Sequence, residues 1–207
     1  MKKSLNGDIL SKVIIMKYDI FAYLNRMKYI KRWSLMRSHE SENVLEHTAQ
    51  VSVIAHALAE IKNKYFGGDV DVLKVVLYSQ YHETGEVITG DLPTPIKYFN
   101  KEINHAYKDI ERGACQKLLS TLPEELREVY EPYVLADEES EEYKIMKSAD
   151  KISAYIKCVE EIKSGNSEFK KAKDSILKEI NKSDRDEVKF FMKNVAPIYL
   201  CSLDELE

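Results

Sequence analysis

A histidine and two carboxylates lie close together in the sequence at His82, Glu83 and Glu86. On a helix of about 3.6 residues per turn, positions three and four apart share a face, so these side chains can approach one another. Gly90 can end such a helix, and prolines stiffen the loop from Asp91 to Pro95. Imidazole and carboxylate groups in this arrangement can bind a metal ion or transfer protons. A solvated helix face gives the same pattern, so the segment alone leaves both interpretations open.

Two further residues stand out against their local patterns. His47 lies in the first two turns of a helix predicted from Asn43 to Tyr65, and Asp150 interrupts the apolar stripe of a helix predicted from about Glu139 to Ser164. A carboxylate in a buried stripe is costly unless it is paired, hydrogen-bonded or bound to metal. His56 is nine residues after His47 and faces the opposite side of that helix, so we predict a structural or surface role for it.

The four residues His47, His82, Glu83 and Asp150 come from three predicted helices, which suits a site assembled inside a helical bundle. Two imidazoles and two carboxylates suit a divalent ion of borderline hardness, such as Mn²⁺, Co²⁺, Fe²⁺ or Zn²⁺. In six-coordinate geometry, four protein ligands leave two positions for a water and a substrate oxygen. That arrangement is what metal-assisted hydrolysis requires.

The composition indicates one mostly helical domain. A chain of 207 residues forms one sizeable core, and only 7 Gly and 5 Pro interrupt its periodic segments. A net charge of −4 argues against binding polymeric nucleic acid, because neutralising phosphates requires clustered Lys and Arg. No apolar run approaches the roughly 18 residues of a membrane span. The three cysteines form no C-x-x-C pair, so we expect no disulfide framework and a cytoplasmic protein.

Apolar periodicity predicts the helices that position these residues. The third helix, capped by Asp69 or Asp71, is expected to deliver the His82 to Glu86 segment at its C-terminal end. The other predicted helices are Asp19 to Ile30, Asn43 to Tyr65, residues 101–121, Pro123 to Tyr133, Glu139 to Ser164, one that runs to about Ile180, and a last one capped by Ser183.

The order of His47, His82-Glu83 and Asp150 resembles that of the HD-domain phosphohydrolases. Longer segments resemble the YfbR-like bacterial 5′-deoxynucleotidases, and the long string at Thr89–Asn100 is the most specific of them. The others are Arg32–Arg37, Glu42–His47 and Lys157–Glu161. The resemblance implies an all-α HD-domain helical bundle, a single domain over residues 16–207. Residues 1–15 are then an N-terminal extension, or Met16 is the true start, which the intact mass of the native protein would decide.

The resemblance also implies a function: divalent-metal-dependent hydrolysis of deoxyribonucleoside 5′-monophosphates to deoxynucleoside and phosphate, by a metal-activated water. It implies an enzyme that is usually a homodimer and that uses one ion, left open among Co²⁺, Mn²⁺, Zn²⁺, Fe²⁺ and Mg²⁺. Carried over by position, the metal ligands are His47, His82, Glu83 and Asp150. Glu86 is the acid–base group, Arg32 orients the phosphate, and Trp33 shapes the pocket against a ribose 2′-hydroxyl. The other predicted substrate contacts are Glu83, Asp150, Asp91, Leu92, Pro93 and Thr94.

One position departs from the family pattern, which has Asp where this chain has Glu83. The extra methylene adds a bond of about 1.5 Å, so metal affinity, metal preference or rate can differ. One alternative is therefore a non-catalytic nucleotide-binding module with a decayed metal site. Another is an HD hydrolase of a different nucleotide, such as guanosine tetraphosphate. Those enzymes resemble H-D-x-x-E-D, whereas Glu86 is followed here by Val87. A bound divalent ion together with phosphate release distinguishes these hypotheses.

Overall fold

The computed structural model describes residues 18–97 and 99–206, and the predicted extension at residues 1–15 lies outside them. Helices dominate the described residues, and the predicted all-α class is confirmed. The α-helices are α1 (Asp19–Leu24), α2 (Val44–Tyr65), α3 (Val72–Tyr81), α4 (Glu86–Thr89), α5 (Thr94–Lys97), α6 (Lys101–Leu119), α7 (Glu124–Val134), α8 (Glu141–Lys163), α9 (Lys170–Ile180) and α10 (Asp186–Asn194). Short 3₁₀ helices occupy Asn25–Tyr29, Ser167–Phe169, Ala196–Leu200 and Leu203–Glu205.

The main core lies where α2, α3, α8 and α10 pack together. Burying an aliphatic or aromatic side chain of this kind contributes about 1.5–3 kcal/mol relative to leaving it exposed. The fully buried members include Val51, Ile54, Leu58, Val75, Ile145, Ile152, Ile156 and Phe191. A second cluster joins α1, α6 and α7 through Ile20, Cys115, Leu118, Leu119, Leu122 and Val134. No helix within the described ranges combines the length and the apolar character needed to cross a membrane.

A capping box fixes the start of α2. The Asn43 side chain accepts hydrogen bonds from the amides of Leu45 and Glu46, both at 3.0 Å, and the Glu46 carboxylate accepts from the Asn43 amide at 3.1 Å. His47 is the next residue, and its amide donates to the Asn43 carbonyl at 3.1 Å. The predicted start of this helix is therefore confirmed, and the cap places His47 in the first turn of α2.

The third helix ends earlier than the sequence pattern predicts. α3 stops at Tyr81, and His82 is its C-cap residue. The amides of Thr84 and Glu86 then donate to carbonyls three residues earlier, at 3.1 and 3.0 Å. These short-range bonds tighten the chain into turns of 3₁₀ type before α4 begins at Glu86. The prediction that one continuous helix carries the whole segment was wrong.

The turn between α3 and α4 packs closely against α6. A Cβ atom at Gly85 would lie 3.1 Å from the carbonyl oxygen of Glu111, closer than ordinary van der Waals contact. Only glycine lets the two backbones approach in this way without a shift. This contact between distant parts of the chain holds the turn that carries His82, Glu83 and Glu86.

Two other helix predictions differ from the structure near their ends. The helix predicted from Asp19 to Ile30 is α1 followed by a 3₁₀ helix over Asn25–Tyr29. Ser183 does not cap α10, because the N-cap residue is Arg185. The Ser183 hydroxyl instead accepts a hydrogen bond from the Arg185 amide at 3.3 Å. Asp71, by contrast, caps α3 through the amide of Lys74 at 3.0 Å, as one of the two alternatives predicted.

The loop before α2 is closed at its base and anchored at its tip. Lys31 and Asn43 form an isolated antiparallel bridge at the base. At the tip, the Glu161 carboxylate accepts hydrogen bonds from the amides of His39 and Glu40 at 2.9 and 3.1 Å. It also accepts from Lys157 at 2.7 Å, within a buried ion pair on α8. α8 therefore fixes the loop that carries Arg32 and Trp33.

We expect the contribution of Glu161 to the free energy of unfolding to decrease at acidic pH. Burial alone would raise the pKa of this carboxyl, but hydrogen bonds from the His39 amide and Lys157 lower it to about 2. Because this value is below the ordinary pKa of about 4.5, the contribution is present above that pH and is lost as the pH falls toward 2. In urea unfolding, the free-energy difference between the wild type and Glu161→Gln should shrink from about pH 7 to about pH 3.5.

The matched control is Glu168→Gln, because Glu168 pairs with an almost fully exposed Arg37 side chain. Exposed ion pairs contribute at most about 1 kcal/mol, so this variant should differ little from the wild type at either pH. If Glu161→Gln differed from the wild type by the same free energy of unfolding at both pH values, the lowered pKa of Glu161 would be contradicted.

Candidate metal centre

Four potential metal ligands meet where α2, the α3–α4 turn and α8 converge. One donor atom from each of His47, His82, Glu83 and Asp150 lies within 4.8 Å of all the others. The Nε2 atom of His47 lies 3.1 Å from Asp150 Oδ1 and 3.7 Å from Glu83 Oε1. The Nε2 atom of His82 lies 3.2 Å from the same Glu83 oxygen. The structure thus brings together the ligand set that the sequence predicts.

The hydrogen bonding of His82 fits a metal ligand. Its Nδ1 atom donates to the Ser79 carbonyl at 2.7 Å, which leaves Nε2 as the nitrogen that can bind a cation. This Nε2 atom is buried, and its 3.2 Å contact with Glu83 lacks hydrogen-bond geometry. Burial would lower the pKa of His82, but the charges of Glu83 and Asp150 raise it. The site therefore favours a positive charge at Nε2, and a proton and a metal ion compete for this atom.

A buried hydrogen-bond chain orients His47. The Ser153 hydroxyl donates to Gln50 Oε1 at 2.5 Å and can therefore accept the proton of His47 Nδ1 at 3.2 Å. This leaves Nε2 of His47 directed at Asp150. Partners of this kind fix the tautomer and the ring orientation of a metal-binding histidine. Sequence reasoning missed Ser153, because it lies 106 residues from His47 and only helix packing joins the two.

Removing the Ser153 hydroxyl is expected to weaken metal binding. Loss of an orienting partner typically lowers metal affinity by about 10- to 100-fold, so we expect Ser153→Ala to raise the Kd for the ion by that factor. Competitive metal titration measures the change. Ser148→Ala is the matched control, because Ser148 is a half-buried serine on the same helix whose hydroxyl donates to the Lys144 carbonyl. Equal affinities for the two variants would show that Ser153 does not orient the ligand.

Asp150 has a neighbour at each of its two oxygens, and Lys147 holds it in its charged form. Its Oδ2 atom accepts a hydrogen bond from Lys147 Nζ at 2.5 Å, while Oδ1 faces His47. Burial opposes ionisation, but the charge of Lys147 holds the pKa of Asp150 well below its usual range. Lys147 was not predicted, although its position three residues before Asp150 on the same helix is a usable signal.

Arg32 and Trp33 lie beside the ligand group and share one partner. The Arg32 side chain is 13% exposed, and its Nη1 atom lies 3.5 Å from Glu83 Oε1. Its Nε atom and the Trp33 indole Nε1 both donate to Glu42 Oε2, at 3.3 and 2.9 Å. The predicted phosphate-binding and sugar-sensing residues are therefore close to the candidate metal centre, and Glu42 is a contact that sequence reasoning missed.

Glu86 is buried next to the ligand group but outside it. Its side chain is 3% exposed, and one carboxyl oxygen has no hydrogen-bond partner. Burial, together with the charges of Glu83 and Asp91, raises the pKa of Glu86 to about 10. A carboxyl group in this environment carries a proton at neutral pH and can act as a general acid.

The segment predicted to line the nucleoside side follows α4. Asp91, Leu92 and Pro93 are half-buried, and Thr94 is exposed at the start of α5. Burial raises the pKa of Asp91, against the opposing charge of Arg32. Their contact with a nucleoside stays a prediction. His56, by contrast, is 58% exposed and lies 3.9 Å from Glu60 on the outer face of α2, as expected for a surface residue.

Several bacterial 5′-deoxynucleotidases are similar to this chain over most of its length. It is 51% identical over 187 residues to the 5′-deoxynucleotidase of Vibrio vulnificus and 48% identical over 187 residues to that of Vibrio cholerae. Each match covers 90% of this chain and 96% of the relative. The YfbR 5′-deoxynucleotidase of Salmonella arizonae is 48% identical over 189 residues, covering 90% of this chain and 94% of that protein.

Solved structures show the same fold at lower identity. An HD-domain phosphohydrolase from Listeria innocua has a TM-score of 0.78 at 23% identity, with 90% of each chain covered. The HD phosphohydrolase DatZ of cyanophage S-2L, solved with dA and one catalytic Zn²⁺ ion, has a TM-score of 0.62 at 18% identity. That match covers 85% of this chain and 95% of the phage protein.

The family itself is shown by a match over nearly the whole described chain. A family model for 5′-deoxynucleotidase YfbR-like proteins matches residues 19–199. These residues include all four members of the candidate metal centre, as well as Arg32, Trp33 and Glu86. Together with relatives about half identical in sequence and with the HD-domain fold, this match establishes that the chain belongs to the YfbR-like 5′-deoxynucleotidase family.

Proposed function

We propose that this protein hydrolyses deoxyribonucleoside 5′-monophosphates to deoxynucleoside and phosphate with the help of one divalent metal ion. The observation that carries the proposal is the juxtaposition of a four-residue ligand group with the Arg32 cation and the buried Glu86 carboxyl. A ligand group, a phosphate-binding cation and a proton donor are the parts that hydrolysis of a phosphate monoester needs. Relatives that bear the name 5′-deoxynucleotidase support the substrate class.

His47, His82, Glu83 and Asp150 would hold the ion. The Nε2 atom of His82, which faces Glu83 without hydrogen-bond geometry, and the oriented Nε2 atom of His47 fit this role. When bound, a divalent ion supplies a Lewis acid that polarises a phosphate oxygen and lowers the pKa of water. The mixed nitrogen and oxygen donor set favours Mn²⁺, Co²⁺, Fe²⁺ or Zn²⁺ over Mg²⁺, which prefers oxygen ligands.

Arg32 would bind and orient the phosphate. Guanidinium groups form paired hydrogen bonds with phosphate oxygens, and the charge of Arg32 stabilises the charge that builds up there. Trp33 follows directly in the chain and would shape the pocket around the sugar. An indole placed against C2′ rejects an added hydroxyl by steric exclusion, an effect worth a few kcal/mol at most.

Glu86 would protonate the 5′-oxygen of the leaving deoxynucleoside. Its burial and its acidic neighbours Glu83 and Asp91 keep a proton on the carboxyl group at neutral pH. Transfer of that proton to the departing oxygen avoids release of an alkoxide, and proton transfer of this kind accelerates reactions by about 10²- to 10⁴-fold.

The same proposal places a homodimer in the cytoplasm and excludes polymeric nucleic acid as a partner. The negative net charge and three free cysteines, Cys115, Cys158 and Cys201, support the location and the small-molecule substrate. Resemblance to the family supports the dimer. Light scattering on purified protein should give about twice the chain mass of 24.0 kDa, and a mass near the single-chain value would contradict the dimer.

Phosphate release tests the proposed function directly. Metal-free protein would be assayed with dAMP, dTMP and dCMP against AMP, UMP and CMP, then with Co²⁺, Mn²⁺, Zn²⁺, Fe²⁺ or Mg²⁺. Metal-dependent release that favours the deoxy substrates is the expected result. Glu83→Asp restores the family's residue and belongs in the same assay. Activity only in Glu83→Asp would mean a disabled site, and no release in either protein would overturn the proposed function.

A further inference from the structure

We infer that Glu42 is a positioning residue that holds Arg32 and Trp33 in one arrangement and so couples phosphate binding to discrimination against a ribose 2′-hydroxyl. The inference rests on the proposed function and deepens it. Its basis is the geometry of one half-buried carboxylate between two neighbouring side chains.

One oxygen of Glu42 joins the two side chains. Its Oε2 atom accepts from Arg32 Nε at 3.3 Å and from Trp33 Nε1 at 2.9 Å. The other oxygen lies 4.0 Å from Nδ1 of His47, on the side of the candidate metal centre. The Glu42 side chain is only 11% exposed, so little water competes for these contacts. The two side chains therefore cannot reorient independently while Glu42 is in place.

The backbone of Glu42 is fixed as firmly as its side chain. Its carbonyl accepts from the Arg32 amide at 3.0 Å, next to the bridge between Lys31 and Asn43. The following residue, Asn43, is the N-cap of α2. The backbone at Glu42 is thus fixed by Arg32 on one side and by the start of α2 on the other. A rigid backbone of this kind suits a residue that positions the side chains of Arg32 and Trp33.

Trp33 requires such support because its backbone is strained. It has φ of +58°, and among the described residues it is the one non-glycine with positive φ. Bulky residues rarely occupy this region and remain there only when their surroundings hold them. Two contacts do so here: the hydrogen bond to Glu42, and the ring of Phe169, whose centroid lies 5.3 Å from that of Trp33. Without Glu42, the indole can leave the position it would hold against the sugar.

Arg32 has an alternative partner if Glu42 is lost. Its Nη1 atom already lies 3.5 Å from Glu83 Oε1. The bond from Nε to Glu42 fixes one N–H group of the guanidinium and leaves other N–H groups for a phosphate. Without that bond, Arg32 is free to move toward Glu83, and its hydrogen bonds are then lost to the substrate.

The test is the ratio of kcat/KM for dAMP to kcat/KM for AMP in Glu42→Gln. The glutamine keeps the shape but removes the charge that holds both donors. Hydrogen bonds to a charged group are stronger than those to a neutral one. We therefore expect Glu42→Gln to lower this ratio by about 10-fold or more and to raise KM for dAMP. Phe169→Leu removes the ring contact with Trp33 and leaves the bond between Arg32 and Glu42, so it should lower the ratio with less effect on KM for dAMP. Glu168→Gln, beside Phe169 but exposed, should leave both quantities unchanged.

Two further readouts separate positioning from a general structural effect. Metal affinity should fall far less in Glu42→Gln than in His82→Ala, because Glu42 lies outside the ligand group. Trp33 is the chain's one tryptophan, so intrinsic fluorescence reports on its surroundings, and we expect a red shift in Glu42→Gln. An unchanged substrate ratio would overturn the inference. If the wild type releases no phosphate, the proposed function fails on its own, and an unchanged Trp33 emission would then overturn the positioning role as well.

Discussion

Replacing Glu86 by glutamine is expected to lower kcat for deoxyribonucleoside 5′-monophosphates by about 10²- to 10⁴-fold. The amide has nearly the same shape as the carboxyl group but cannot give up a proton to the leaving 5′-oxygen. Glu86 lies outside the ligand group, so metal affinity should stay near the wild-type value. One of its oxygens has no partner to lose, so stability should change little. Single-turnover phosphate release, beside metal titration and thermal unfolding, measures all three quantities.

A neighbouring carboxylate provides the control for Glu86. Burial also raises the pKa of Glu111, and this residue pairs with Lys97 at 3.6 Å on α6, which packs against the α3–α4 turn. Glu111→Gln should therefore keep kcat close to the wild-type value if burial by itself confers no role. Equal losses in the two variants would show that acidity in this region, rather than proton transfer by Glu86, determines the rate. Full activity of Glu86→Gln would remove the general-acid role.

Replacing His82 by alanine is expected to abolish specific metal binding and reduce phosphate release to background. The variant removes the buried Nε2 atom that faces Glu83 in the ligand group. Metal binding stabilises the folded state, by about 2.7 kcal/mol at an ion concentration of 100 Kd. For a chain of this size, that is a rise in Tm of roughly 5 to 10 °C. Thermal unfolding with and without the ion should show this rise in the wild type and its loss in His82→Ala.

Comparing each protein with and without metal separates ligation from packing. His82 is buried, so the substitution also leaves a cavity, but the cavity lowers Tm to a similar extent in both conditions. His56→Ala is the matched control, because His56 is 58% exposed and lies on the outer face of α2. It should retain the full metal-dependent rise. A rise that persists in His82→Ala would show that the ion binds elsewhere.

Local patterns in the sequence carried much of the correct prediction. The start of α2 follows from Asn43 and Glu46, because a capping box is built by residues three apart. The all-α class follows from apolar periodicity, which is likewise a property of neighbouring residues. The ligand set was harder to derive: His47 and Asp150 stood out as exceptions in helices, and their donor chemistry grouped them with His82 and Glu83 before the family resemblance indicated the same set.

Tertiary packing decided how the site works. α3 ends at Tyr81 and does not continue to Glu86. The turn that follows α3 packs against α6 at Gly85. The hydrogen bond from His47 to Ser153 and the shared partner of Arg32 and Trp33 depend on where helices and loops meet in space. The sequence by itself determined the helices and the chemical types of the ligands, because those depend on short-range hydrogen bonds and periodicity. Only the tertiary structure decided the orientation of each ligand and the environment of Glu86, because these arise from contacts between residues far apart in the chain.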